Sequence, residues 1–209
     1  MSKRRYHAPQ RSAAAERTRE TIVAAAKALF EEAGWAGTTI RAVADAAGVS
    51  PKTVEAIFGT KAALLQAAVD FAIRGDALPI PMAEREPTVE IEGAPDAATM
   101  LDLHAAYLRR IAERSARLAG AVEHAARTDP RVAELWNRMN RNRRFGVHWA
   151  VETLLGKPGA EHLDRAEAER IVWVALNWGT YRVLTEQGGL DGDAFEAWLA
   201  AYYRRMLLA

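Results

Sequence analysis

Between residues 39 and 61 the chain gathers side chains that donate to anions and side chains that read polar edges: Thr39, Arg41, Ser50, Lys52, Thr53, Glu55 and Lys61. Cations and hydroxyls bond phosphate oxygens, and Lys, Thr and Glu also reach the edges of base pairs. The N-terminal SKRRYHAPQR adds Lys3, Arg4 and Arg5, suited to a flexible arm in a minor groove or to a solubilising tail. Such groups act together only if a rigid element presents them.

That element is legible. Residues 39–58 read TIRAVADAAGVSPKTVEAIF. Ile40, Val43, Ala44 and Ala47 form one apolar stripe. Gly48 ends that helix, because glycine enters the left-handed conformation without steric cost. Ser50 caps a second helix with Pro51 at its first position, and Val54, Ile57 and Phe58 continue the apolar face. Two short helices joined by a tight turn form a helix-turn-helix, whose second helix lies in a DNA major groove.

The wider composition agrees. Residues 1–65 hold ten Lys/Arg against six Asp/Glu, a surplus of four; the remainder holds 18 against 21. A basic end on an acidic body suits a nucleic-acid contact at one end. There is no cysteine, which removes disulfide and thiol chemistry. His7, His104, His124, His148 and His162 show no metal-ligand spacing, and no Glu-x-x-His pair of a di-iron bundle occurs. Phosphate-binding glycine loops and nucleophile elbows are missing too. The expectation is therefore no catalytic residue, no metal and no cofactor. The longest apolar run, residues 171–178, is interrupted by Asn177 and too short to cross a membrane. Nor do the first residues contain the apolar core of a secretory signal. A soluble cytoplasmic protein with no membrane partner is expected.

The pattern is all-α: an N-terminal three-helix helix-turn-helix domain and a larger helical C-terminal domain, about nine helices in total. Residues 1–11 read as a basic disordered arm and 12–75 as the DNA-binding domain, with a first helix over 12–33 and a fourth from Lys61. Residues 76–95, with repeated prolines and glycines, read as a linker or irregular loop. Residues 96–209 make the second domain, with helices over 96–115, 118–127, 130–155, 164–187 and 191–207.

The stretch TRETIVAAAKALFEEAGWAGTTIRAVADAAGVS and the tail FGTKAALL resemble a TetR-family transcriptional regulator over about residues 17–77. Gly37, Thr38 and Thr39, the run 46–50, Phe58 and Lys61 sit where that family has them. The resemblance implies a homodimeric repressor, released from a palindromic operator in double-stranded DNA by a small apolar or aromatic effector. A regulator without effector, or an architectural DNA-binding protein, fits the same motif. The resemblance also places helix 3 in the major groove, with Lys52 and Thr53 as contacts, Thr39, Arg41 and Lys61 toward phosphate, and Ser50 and Glu55 beside them. Glu55 departs from the family pattern, which usually has tyrosine there. Either it accepts from a cytosine amino group, or it turns off the groove and pairs with a neighbour.

In the second domain the resemblance implies a ligand cavity. His104, Arg143 and Asn177 are the polar candidates on apolar faces, and Tyr107, Trp136, Met139, Trp149 and Trp173 the apolar ones. Arg143 interrupts an inward stripe, so it needs an acidic side chain or an anionic effector. Two helices, carrying Trp178 and Gly179 on one and Phe195, Trp198, Leu199, Tyr202 and Met206 on the other, are assigned to the dimer interface.

Overall fold

The computed structural model describes residues 8–76, 78 and 80–208, with side chains from Ala13 on. It is all-helical, with ten α-helices and no strand among the described residues. Two compact units divide at Phe71 and Ala72.

In the first unit, α1 (Ala8–Gly37) begins four residues earlier than the sequence pattern predicts and breaks at Gly34, where φ is 66° and ψ −172°. Only glycine holds that region without strain. Thr38 then locks the exit. It is 1% exposed, and its hydroxyl donates to the carbonyls of Leu29 at 3.0 Å and Gly34 at 2.8 Å. Phe30 stacks on Trp35, and Lys61 lies over the Trp35 ring while its ammonium donates to the Trp35 carbonyl. The start of the next helix is thus held from three sides. Thr38→Val is expected to destabilise this unit by about 1–3 kcal/mol, because two part-buried carbonyls lose the donor that the buried hydroxyl supplies. Urea unfolding reads this, and a loss below about 0.5 kcal/mol, the range of a neutral surface change, would rule out the lock.

Thr39 caps α2 (Ile40–Ala46), accepting from the Ala42 N–H at 3.0 Å. Gly48, at φ 67°, turns the chain, and the Val49 N–H reaches back to the Ala44 carbonyl at 3.0 Å. This back-bond satisfies a helix-end carbonyl that would otherwise be orphaned. Ser50 caps α3 (Pro51–Phe58), and α4 spans Lys61–Arg74. Ile22, Ala26, Phe30, Val43, Ala44, Val54, Phe58, Leu64 and Ala68 are buried.

The second unit corrects three expectations. Residues 76–95 are not irregular throughout: a 3-10 turn covers Met82–Glu84, and α5 covers Glu86–Glu92. Arg85 organises the stretch through a two-pronged pair with Asp76, at 2.8 and 2.9 Å, and bonds to the carbonyls of Leu78 and Ile80. That pair holds the Asp76 carboxyl down at about 2. Next, the helices expected over 96–115 and 118–127 are one helix, α6 (Ala97–Ala126). The stretch between them contains no residue that forces the backbone out of helix. Finally, the helix expected over 164–187 is three pieces: α8 (Arg165–Ala175), α9 (Trp178–Arg182) and a π-turn over Val183–Gln187. Asn177 causes the first break. Its side chain accepts from the Gly179 N–H at 2.8 Å, the local bond that makes Asn a cap rather than a helix interior. Between these, α7 spans Pro130–Leu155, and α10 (Gly192–Leu207) ends the described chain but for Leu208.

The core of this unit lies among α6, α7, α8 and α10, with α7 and α10 each packed on both α6 and α8. Met100, Leu101, Ala105, Val147, Val151, Leu154, Ile171, Val172, Phe195, Leu199 and Tyr203 fill it. No single described helix is long and apolar enough to cross a membrane.

Candidate functional site

Two regions carry the groups singled out by the sequence. In the first unit, α3 buries Val54 and Phe58 and leaves Lys52, Glu55 and Ala56 exposed, with Thr53 and Ile57 between these extremes. Burying one stripe fixes which side chains face outward, and the helix presents ammonium and carboxylate together. Ser50 is spent on structure: its hydroxyl accepts from the Thr53 N–H at 3.1 Å and shares a 2.8 Å bond with the Thr53 hydroxyl. Thr39 and Arg41 are exposed at the start of α2. Lys61 is engaged with Trp35, as described above. Glu55 is exposed and makes no ion pair among the described residues, so the neighbour expected to hold it off the groove is not there. Arg4 and Arg5 lie outside the described residues.

In the second unit, seven of the eight residues expected around one cavity form two groups. The first centres on His104, which is 1% exposed. Its Nδ1 and the Tyr203 hydroxyl share a hydrogen bond of 3.1 Å. The rings of Tyr203, Trp149 and Tyr107 surround it at centroid distances of 5.7, 6.2 and 6.5 Å. Burial pulls the imidazole down to about 4, so it is neutral at physiological pH. Trp149 in turn donates through Nε1 to Glu92 at 2.7 Å. This is a satisfied buried polar pair in a core of rings.

The second group centres on Arg143. It lies on the inward stripe of α7 between Met139 and Val147, both buried. The guanidinium carbon sits 3.7 Å from the Trp173 ring centroid and 5.9 Å from that of Trp178, and the Arg144 guanidinium lies 5.0 Å from the same Trp173 ring. Trp136 and Trp178 are 6.1 Å apart and tilted by 45°. Trp178 is anchored by its Nε1, which donates to the Ser115 hydroxyl at 3.0 Å. Burial first, and repulsion from Arg144 second, pull the Arg143 pKa below the usual guanidinium value. Its Nε is buried without an acceptor among the described residues. Asn177 belongs to neither group, since its side chain caps α9.

Residues 22–68 match the family model described as "Bacterial regulatory proteins, tetR family". Those residues are similar to that family's amino-terminal domain, and the fold of the chain is TetR-like. Solved structures of low identity share that fold. A candidate TetR-family transcriptional regulator from Rhodococcus sp. superposes with a TM-score of 0.68 at 17% identity, over 91% of this chain and 98% of the other. NalD, the secondary repressor of the MexAB-OprM multidrug efflux pump in Pseudomonas aeruginosa, gives 0.65 at 21% identity, over 92% and 97%. A candidate transcriptional regulator from Saccharomonospora viridis, solved in complex with choline, gives 0.66 at 17% identity, over 92% and 98%. No curated protein matches.

Within this TetR-like fold, two residues expected at the dimer interface are elsewhere. Phe195 and Leu199 are 1% and 0% exposed within one chain, so they have no surface left for a partner. The α10 stripe turns its first residues inward because α10 packs on α6 and α8. Met206 is half exposed, Trp198 and Tyr202 are partly open and stacked at 5.4 Å, and Gly179 is exposed. Trp178 is turned inward to Ser115. Val174 and Val183, which the sequence reading did not single out, are also half exposed. Ser115, Arg144, Glu92 and Tyr203 were missed as well. Each is defined by a partner 57 or more residues away or by a shared ring, and no local pattern marks such a partner.

Proposed function

We propose that the chain is a sequence-specific DNA-binding transcriptional regulator, acting as a homodimeric repressor that a small molecule releases from a palindromic operator. The observation that carries this reading is the α2–turn–α3 unit, with Val54 and Phe58 buried and Lys52 and Glu55 outward on the recognition helix. Lys52 offers a cation to a base edge or phosphate, and an unpaired Glu55 can accept from a cytosine amino group. Thr39 and Arg41 bond phosphate beside it. NalD is described as a repressor, which supports repression as the mode. The half-open apolar residues Val174, Val183 and Met206 support a partner subunit, as single-chain burial leaves them unpaired. Two recognition helices on a two-fold axis then read two half-sites one helical turn apart.

The mechanism follows from differential affinity: an effector releases DNA only if it binds the non-operator conformation more tightly. The test is a fluorescence-anisotropy titration of the full chain against duplex from upstream of its own gene and against a scrambled duplex. A preference of about 10³-fold or more is expected for a specific regulator, with two chains or a multiple per site. Equal weak binding to both duplexes would set the reading aside.

A further inference from the structure

Arg143 poses a problem that the fold does not solve. A guanidinium on the inward stripe of α7 is partly removed from water, and its neighbour Arg144 carries the same charge over the same indole. Neither makes an ion pair with a described carboxylate; Glu123 attracts the Arg143 guanidinium only from beyond ion-pair distance. Stacking on Trp173 offsets part of the desolvation, but Nε is buried with no acceptor among the described residues. Buried charges normally have a counter-charge.

The surroundings state what that counter-charge must look like. Trp136, Trp173 and Trp178 wall the cluster with indole faces, which suit an apolar or planar body and not a fully hydrated inorganic ion. The guanidinium fork matches the two oxygens of a carboxylate. The break between α8 and α9, with Trp178 as the first residue of α9, adjoins the same walls.

We propose that the Arg143–Trp136–Trp173–Trp178 cluster is a binding site for an organic carboxylate with an aromatic or aliphatic body. Resting on the regulatory reading above, this ligand is the effector. The two guanidiniums set it apart from a cation site: a choline-like ligand would meet like charge here.

The test is calorimetric titration of the full-length protein with benzoate, 4-phenylbutyrate, indole-3-acetate and octanoate, each beside its primary amide, and with choline. At least one acid is expected to bind ten times or more tightly than its amide, with choline not binding. Arg143→Met is expected to remove that preference, and Arg143→Lys, which keeps the charge but loses the fork, to keep only part of it. The acid–amide comparison needs no variant, so it stands even if Arg143→Met fails to fold. If every acid binds no better than its amide, the proposal is overturned. If Arg143→Met turns dimers into monomers in sedimentation while acids and amides bind alike, the guanidinium pairs with a carboxylate of a second copy, which also overturns it. Operator preference measured without acid tests the regulatory reading separately. Specific DNA binding with no acid preference sinks this proposal alone. An Arg143-dependent acid preference without specific DNA binding supports the carboxylate site and sinks the regulatory reading.

Discussion

Lys52→Glu is expected to lower operator affinity by roughly 100-fold, the upper range of one lost base or phosphate contact with like-charge repulsion added. Lys52 is exposed on α3, next to the equally exposed Glu55. Reversing its charge would put two carboxylates on the face turned toward a polyanion. Folding is expected to change by no more than about 0.5 kcal/mol, as for other exposed sites without partners. Lys52→Gln separates the two ways the ammonium can act. If it bonds phosphate, affinity drops evenly across operator variants and the slope of log affinity against log salt falls by about 0.9. If it reads a base, the salt slope changes less and discrimination at one operator position disappears. Anisotropy titrations at three salt concentrations, on the operator and its single-base variants, measure both. Unchanged affinity in Lys52→Glu would remove α3 from the interface.

How much of this was legible depended on the range of the cause. The turn between α2 and α3 is set by Gly48, Ser50 and Pro51, whose effects are local, so the sequence pattern places it to the residue. Helix joints set by packing were not legible. The continuity of α6 depends on the absence of any breaker, which a change of apolar phase near residue 116 can imitate. The division of α8 from α9 falls inside one apolar run, at its single polar residue, and only the cap formed by Asn177 reveals it. The same holds for the candidate site. Arg143 stands out because a charge on an apolar stripe is a local anomaly. Its partners Trp173 and Trp178 come from α8 and α9, and Ser115, which anchors Trp178, from α6. Phe195 and Leu199 carry the periodicity of a helix stripe, but periodicity does not say whether that stripe faces the chain's own core or a second copy. Burial within one chain decides for the core.

His104 gives the other large effect, and its sign can be worked out. The imidazole is buried, bonded to the Tyr203 hydroxyl and ringed by Tyr107 and Trp149, and desolvation alone depresses it to about 4 from the ordinary 6.5. Protonation therefore favours the unfolded chain. Above pH 6.5 neither state holds the proton, and the full stability is present. As pH falls from 6.5 toward 4 the unfolded chain binds a proton that the folded chain refuses, and stability is lost throughout that window. Below about 4 both states are protonated and this residue costs no more. With 1.36 kcal/mol for each pH unit, the total loss is about 3 kcal/mol, and about 2 kcal/mol of it falls between pH 7 and 5. The depressed carboxyls act in a different window. Asp76, at about 2, contributes stability above the ordinary carboxylate value that is lost only as pH falls toward 2. His104→Gln removes the titrating group while keeping polar atoms near Tyr203. It is expected to be less stable than the parent at pH 7, because a buried bond is disturbed, and to show a flatter stability curve between pH 6.5 and 4. Urea unfolding at pH 7, 6, 5 and 4.5 compares the two slopes. Equal slopes would mean that the folded core admits the proton, and that the ring cage around His104 opens at a cost smaller than its burial implies.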